Sequence, residues 1–421
     1  MLTAPTWTYN AAGGPNPFIV PARHGLIATA INTDTGATVV GLGRKATRFT
    51  RPLKLQSRGV AIFAQPTPFH LPERVYAIGY STMAGVAPRV FALSPDGEVQ
   101  MEAARPELAW REGRTISVTE TPHGPVLHLD DRHLVLDSAG NVVADVPRRG
   151  VDAPFVVEAG RLFAHDGQAL AIVDLVTGQT LTRWPLDGRP TAVRYDAARS
   201  RVALRVDRLL CSLGMEDESE RPRLRAWVGG LAVMPSVTDS NLRAASGGTG
   251  GLECVDDDGS PRWTVLIGGA TSVHGVAFLT GGELVMTATG GGADRVLITR
   301  ETEQIFERPR AGAAGGAGCI ARVGDRVAVV VAPGAEPSGL IEFGAAIDCA
   351  NLRGGGAAVY ERPGNPGPGK RMMIVDPAGA PAMDVSEGAA GARWAVFSDG
   401  LLAVPRANAA RVDLYDTGAP A

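Results

Sequence analysis

Within six residues, HLDDRH brings together His128, Asp130, Asp131 and His133. Imidazole and carboxylate are the groups that ligate zinc and other divalent ions. On a strand, however, alternate residues share a face, so His128 and Asp130 point one way while Asp131 and His133 point the other. The four do not converge without a bend, and the stretch is expected as a solvated turn between two strands. GNPGPGKR, Gly364 to Arg371, has the glycine and lysine spacing of a phosphate loop. Arg371 stands where Ser or Thr should hold magnesium, and two prolines remove N–H groups that would cradle phosphate. The strand-like MMIVD follows where the motif needs a helix. DDDG at Asp256–Gly259 lacks the alternate spacing and distal Glu of a calcium loop. EDESE at Glu216–Glu220 reads as a solvated loop tip. Gly79–Tyr80–Ser81 is no nucleophile elbow, because Met83 occupies the final glycine position. His165 precedes Asp166 and His274 opens an apolar strand, neither beside a recognisable nucleophile. No catalytic, metal or cofactor residue is assigned, and no cofactor is expected.

Composition narrows the partners. The net charge is −3 with no long block of one sign, which argues against nucleic acid or an anionic membrane surface. Lysine occurs only at Lys45, Lys54 and Lys370 among 41 basic residues, with abundant Ala and Gly, as a GC-rich bacterial genome would give. No window reaches the ~18 apolar residues of a membrane helix, and MLTAPTWTYNAAGGPNP has neither basic nor apolar signal-peptide regions. A cytoplasmic location is expected. Cys211, Cys254, Cys319 and Cys349 form no CxxC pattern and read as buried single thiols, with a Cys319–Cys349 disulfide left open.

The elements that would carry any site are hairpins. LECV, the turn DDDGS and RWTVLI place Asp-Gly between β-branched and aromatic runs, a strong hairpin signal. Comparable units begin at Phe91, Leu134, Leu170, Met372 and Arg411, and their turn glycines recur at intervals near one, two or three times ~40 residues. Two further short strands precede each hairpin, as PFVVEAG and RLFAHDG precede LAIVDLVTG. Four strands per unit, and no amphipathic helix of three turns, predict an all-β propeller of four-stranded blades. Counting modules gives nine with two weak copies, near 17–57 and 316–387; eight blades are expected, with nine or seven as alternatives. RVDLYDTGAPA stops where a fourth strand should follow, and APTWTYN supplies one. The last blade is therefore expected from residues 390–421 plus 3–10, closing the ring and removing both free edges. The chain is expected as a single domain, 1–421, with a Gly/Pro-rich insertion at 334–371.

DDDGSPRW and DLVTGQTLTRW resemble the Asp-x-x-(Thr)-Gly-x-x-x-Trp repeat of quinoprotein-like (PQQ-type) β-propellers, neighbours of the WD40-like class. The resemblance implies that the Asp shapes the turn, the Gly takes a positive φ, and the Trp packs between blades. Trp263 fits the spacing, Trp184 falls two positions late, and Trp227 and Trp7 hold comparable places. The adjacent cysteine pair of quinoprotein dehydrogenases and a haem-binding CxxCH are missing, so the resemblance implies the scaffold without the redox chemistry.

The expected function is a non-catalytic platform for protein–protein interaction, or an accessory subunit of a complex. Phe343, Arg353, Tyr360 and Arg362, aromatic and arginine residues of the insertion, are its candidate anchors. The alternative is a lactonase-like hydrolase or small-ligand binder with a site at the channel mouth, assembled from different blades. The oligomeric state is not legible.

Overall fold

Short β-branched and apolar runs between Asp-Gly turns become strands, and the strands collect into sheets of four. In this computed structural model the described residues are 4–11, 17–33, 36–53, 59–63, 71–80, 85–109, 116–150, 153–186, 188, 190–196, 200–206, 209–214, 223–226, 232–238, 241–247, 251–256, 261–266, 272–278, 284–290, 293–300, 303–309, 313–314, 319–323, 327–331, 338–342, 347–354, 356–361, 371–376, 381–385, 394–406 and 409–418. From 207 to 349 the description is of strand backbone, with the side chains of Leu266 and Leu297.

Among the described residues there are ten antiparallel four-stranded sheets. In chain order they span 19–53, 59–104, 117–147, 155–185, 190–226, 232–266, 272–309, 313–342 and 347–385, each a meander of consecutive strands. The tenth joins Val396–Ser398, Leu401–Pro405 and Arg411–Asp416 to the amino-terminal strand Trp7–Asn10. Helical residues among those described are the 3₁₀ turn Pro106–Leu108 and Trp394.

Ten sheets exceed the eight expected from sequence. The weak module at 316–387 resolves into two sheets. Residues 334–371, expected as an insertion, supply Ser338–Glu342 to the eighth sheet and Ile347–Asn351 and Ala357–Glu361 to the ninth. Gly and Pro crowd the connections there and hide the strands between them. Two compact units are distinguished along the chain: Met1–Val143 with Phe343–Ala421, and Ala144–Glu342.

Burial explains which strands read as continuous apolar runs. Gly124–His128, Met372–Val375 and Leu401–Pro405 are buried at every residue, because both their faces are covered. Outer strands alternate: Thr180–Pro185 exposes most of its residues and buries Trp184. The cores lie between successive sheets. One packs Val39 and Phe49 of the first sheet against Phe91 and Leu93 of the second. Another sets Phe163 and Trp184 of the fourth against Val193 and Tyr195 of the fifth.

The turns behave as the repeat implies. Asp174 Oδ1 accepts the N–H groups of Val176 and Thr177 at 3.0 and 2.7 Å, and Gly178 follows with φ +70°. Hydrogen bonds from Thr177 hold the Asp174 carboxyl below the usual carboxylate range. Gly97 has φ +81°, and a Cβ there would lie 2.5 Å from the Phe49 ring, so the turn needs glycine for backbone and space alike. Gly259 and Gly379 fall outside the described residues.

The tenth sheet forms as the sequence ends suggest. Trp7 pairs with Leu414, Thr8 with Asp413, Tyr9 with Val412 and Asn10 with Arg411. Asp413 is fully buried at this seam and accepts Arg406 Nε at 2.5 Å, Arg411 Nε at 2.6 Å and Thr8 Oγ1 at 3.0 Å. Burial alone would raise its carboxyl pKa; the Arg411 and Arg406 hydrogen bonds outweigh burial and hold it below the usual range. Trp7 Nε1 then donates to Gly43 O of the first sheet at 3.0 Å.

Candidate functional site

Of the four anchors expected from sequence, Phe343 and Arg362 lie outside the described residues. Tyr360 sits on the strand Ala357–Glu361 opposite Met372, half-buried, and packs against the core that holds Met372, Phe397 and Tyr415. Its ring serves packing more than display. Arg353 is different. The turn after Ile347–Asn351 carries it to the edge of the tenth sheet, where it bridges Val396 and its carbonyl accepts the Phe397 N–H at 2.9 Å.

That backbone anchor points to a reason for glycine next door. A Cβ on Gly354, at φ +83°, would fall 1.9 Å from Phe397 O. The turn is thus locked against the tenth sheet, and Arg353 is presented from a fixed base. Its guanidinium lies 5.0 Å from the centroid of the Phe18 ring. Phe18 precedes the first strand of the first sheet and is 53% exposed. Burial lowers the Arg353 pKa from its ordinary value. No carboxylate pairs with Arg353 among the described residues, and the residue keeps an exposed surface. Trp394, two residues before Val396, is 45% exposed. Phe18, Arg353 and Trp394 are of the residue types that dominate binding interfaces, and sequence reasoning found only the arginine. Phe18 and Trp394 stand just ahead of their strands, where no pattern marks them.

The HLDDRH reading divides. Asp130 and Asp131 occupy the half-exposed tip, as expected of a turn. The histidines are not solvated: His128 and His133 are each 1% exposed. They are partners across the hairpin, with Nδ1 atoms 2.8 Å apart, and His128 Nε2 lies 2.8 Å from Thr119 Oγ1. Alternation along one strand places them on opposite faces; the hairpin folds back and restores them to one. No group of three or more metal-ligating side chains occurs among the described residues.

A third histidine makes a side-chain contact with a carboxylate that the sequence does not show. His24 Nε2 lies 2.7 Å from Glu73 Oε2, and Glu73 Oε1 takes Arg23 at 2.8 Å. His24 has φ +64° and Asp399 φ +35°, two uncommon backbones held together by the His24 N–H donating to Asp399. Ser398 in the same contact is fully buried and binds Ala22 O and the Leu26 N–H, so its hydroxyl fastens the two turns. Arg371 of the GNPGPGKR stretch is likewise structural, held by Asp384 at 2.6 and 3.0 Å, with its N–H on Glu361. Residues 364–370, the side chains of His274 and the four cysteines, and Ser81 lie outside the described residues.

Comparison with known proteins returns fold and no family. No family model matches the sequence, and no curated protein does. A crystal structure of "the eukaryotic initiation factor" is similar at a TM-score of 0.51 and 11% identity, covering 81% of this chain and 91% of that one. BamB from Moraxella catarrhalis has 12% identity, a TM-score of 0.38 and coverage of 90% and 98%. The dihydro-heme d1 dehydrogenase NirN, in complex with DHE, has 16% identity, a TM-score of 0.40 and coverage of 73% and 68%. The last two scores carry no argument, and at such identities the likeness is of scaffold alone. The neighbours are β-propellers of repeated four-stranded sheets, in agreement with the resemblance in the Asp–Gly–Trp turns. No described helix is long and apolar enough to cross a membrane.

Proposed function

We propose that this chain is a non-catalytic propeller-type scaffold that binds a protein partner through Arg353 and Phe18. In this reading each four-stranded sheet is a blade, and the amino-terminal strand on Arg411–Asp416 is the clasp that closes a ring. The supporting observation is the Arg353 guanidinium, exposed, 5.0 Å from the centroid of the exposed Phe18 ring and unmatched by a carboxylate among the described residues. A partner segment carrying a carboxylate beside an apolar side chain would neutralise the cation and cover the ring at once.

The test uses the full chain as bait with Phe18→Ala and Arg353→Ala as controls. A partner retained by the parent protein is purified and titrated against all three. Each variant should weaken binding at least tenfold while leaving the unfolding midpoint within a few degrees. Equal affinity for all three proteins would remove this surface from the reading.

A further inference from the structure

The second compact unit holds a basic cleft built by three short segments of the chain. Arg148 and Arg149 follow the strand Val142–Pro147; Asp166, Gly167 and Gln168 turn between Arg161–His165 and Ala169–Asp174; Arg183 projects from Thr180–Pro185. They line an open depression of about 490 Å³, and an adjoining hollow of about 450 Å³ shares Arg149 and Gly167 and adds His165. Clefts of this size suit small molecules.

The turn at the cleft's floor is fixed by its own carboxylate. Asp166 Oδ1 accepts the N–H groups of Gln168 and Ala169, each at 3.0 Å, and Oδ2 takes Arg183. Burial works to raise the Asp166 pKa, and these backbone and arginine bonds overcome it, leaving the carboxyl ionised and below the usual range. Gly167, at φ +107°, is the point of closest approach, where a Cβ would stand 3.2 Å from Arg149 Cδ. The glycine lets Arg149 lie across the turn and donate Nη1 to Gly167 O at 3.2 Å. Arg148 rests 5.1 Å above the Phe155 ring and donates to Ala153 O at 3.3 Å.

Charge is then out of balance. Three arginines and one aspartate line the cleft; the aspartate is committed to its turn and to Arg183, and Arg148 is engaged by Phe155 and Ala153 O. Among the described residues Arg149 meets a carbonyl and no carboxylate. Guanidinium groups held on separate segments present fixed forks of N–H donors, which suit the oxygens of phosphate or carboxylate.

We propose that this cleft binds a small molecule bearing two oxyanion groups, one held by Arg149 and the other by Arg183. The site is independent of Arg353 and Phe18, and its failure would leave the partner surface untouched.

Titration calorimetry of the full chain at constant ionic strength, with pyrophosphate, inorganic phosphate and succinate as probes, tests it. Saturable binding of pyrophosphate or succinate is expected, the stronger of the two identifying phosphate or carboxylate as the natural group. Arg149→Gln should weaken that binding at least tenfold with an unchanged unfolding midpoint, Arg183→Gln should do the same, and Arg353→Ala should have no effect. The proposal is overturned if no probe saturates, or if the Arg149→Gln/Arg183→Gln double variant binds as the parent does. Binding of a polyglutamate peptide alone would also overturn it, in favour of an acidic partner segment.

Discussion

Arginine meets aspartate in two places with opposite results. At the tenth sheet, Arg406 and Arg411 converge with Thr8 on the buried Asp413, and every oxygen of that carboxylate is spoken for. Around the turn of the fourth sheet, three arginines line an open cleft of about 490 Å³ with a single aspartate among them. The chemistry is the same; burial and stoichiometry differ. A buried anion ringed by donors has nothing left to offer a ligand and serves as a fastening. An open ring of cations with one anion keeps capacity for another.

The contrast is sharpest when the anion is removed. Asp413→Ala leaves Arg406 and Arg411 facing an emptied pocket beside the closing strand, and should cost about 3 kcal/mol in urea unfolding. Little change would mean that the seam is held by strand pairing alone. The pH dependence follows. Because the folded pKa of Asp413 is depressed, its contribution is present above the unfolded value of about 4 and is lost as pH falls below it, through the folded pKa. Asp413→Asn should flatten that part of the acid limb in a plot of stability against pH. An unchanged slope would assign the limb to other carboxylates.

The surrounding arginines should rank by exposure. Arg406, 21% exposed, should cost about 1–2 kcal/mol as Ala. Arg411, 46% exposed, should cost about 1 kcal/mol or less. Smallest of all, Arg149→Gln should shift stability by no more than about 0.5 kcal/mol, since it gives up one bond to a carbonyl at the surface. A large loss there would make the cleft a fastening too, and erase the distinction.

What could be read in the sequence was local. Asp and Gly at fixed spacing define a turn within five residues, so the hairpins at Gly97, Gly140 and Gly178 were visible, and the pairing of Trp7 with Leu414 followed from one unfinished unit and one spare strand. The count of repeating units fell short of the ten sheets where glycine and proline in 334–371 disguised the joint between two of them. The sites failed for a different reason. Arg149 and Arg183 come together because a turn between them folds back, and Phe18 meets Arg353 across most of the chain. His128 and His133 were close in sequence yet misread, because alternation along a strand says nothing about the register of the hairpin that follows.

The seam between Thr8 and Asp413 joins positions 405 apart. Holding the ends of a flexible chain of that length together costs about 5 kcal/mol, a burden that lightens as the intervening sheets form. On a ribosome, residues 7–10 must wait unpaired until Arg411–Asp416 has emerged. The tenth sheet is therefore completed only after residue 411 has been made, and a chain halted before it leaves Trp7–Asn10 without its partner strand.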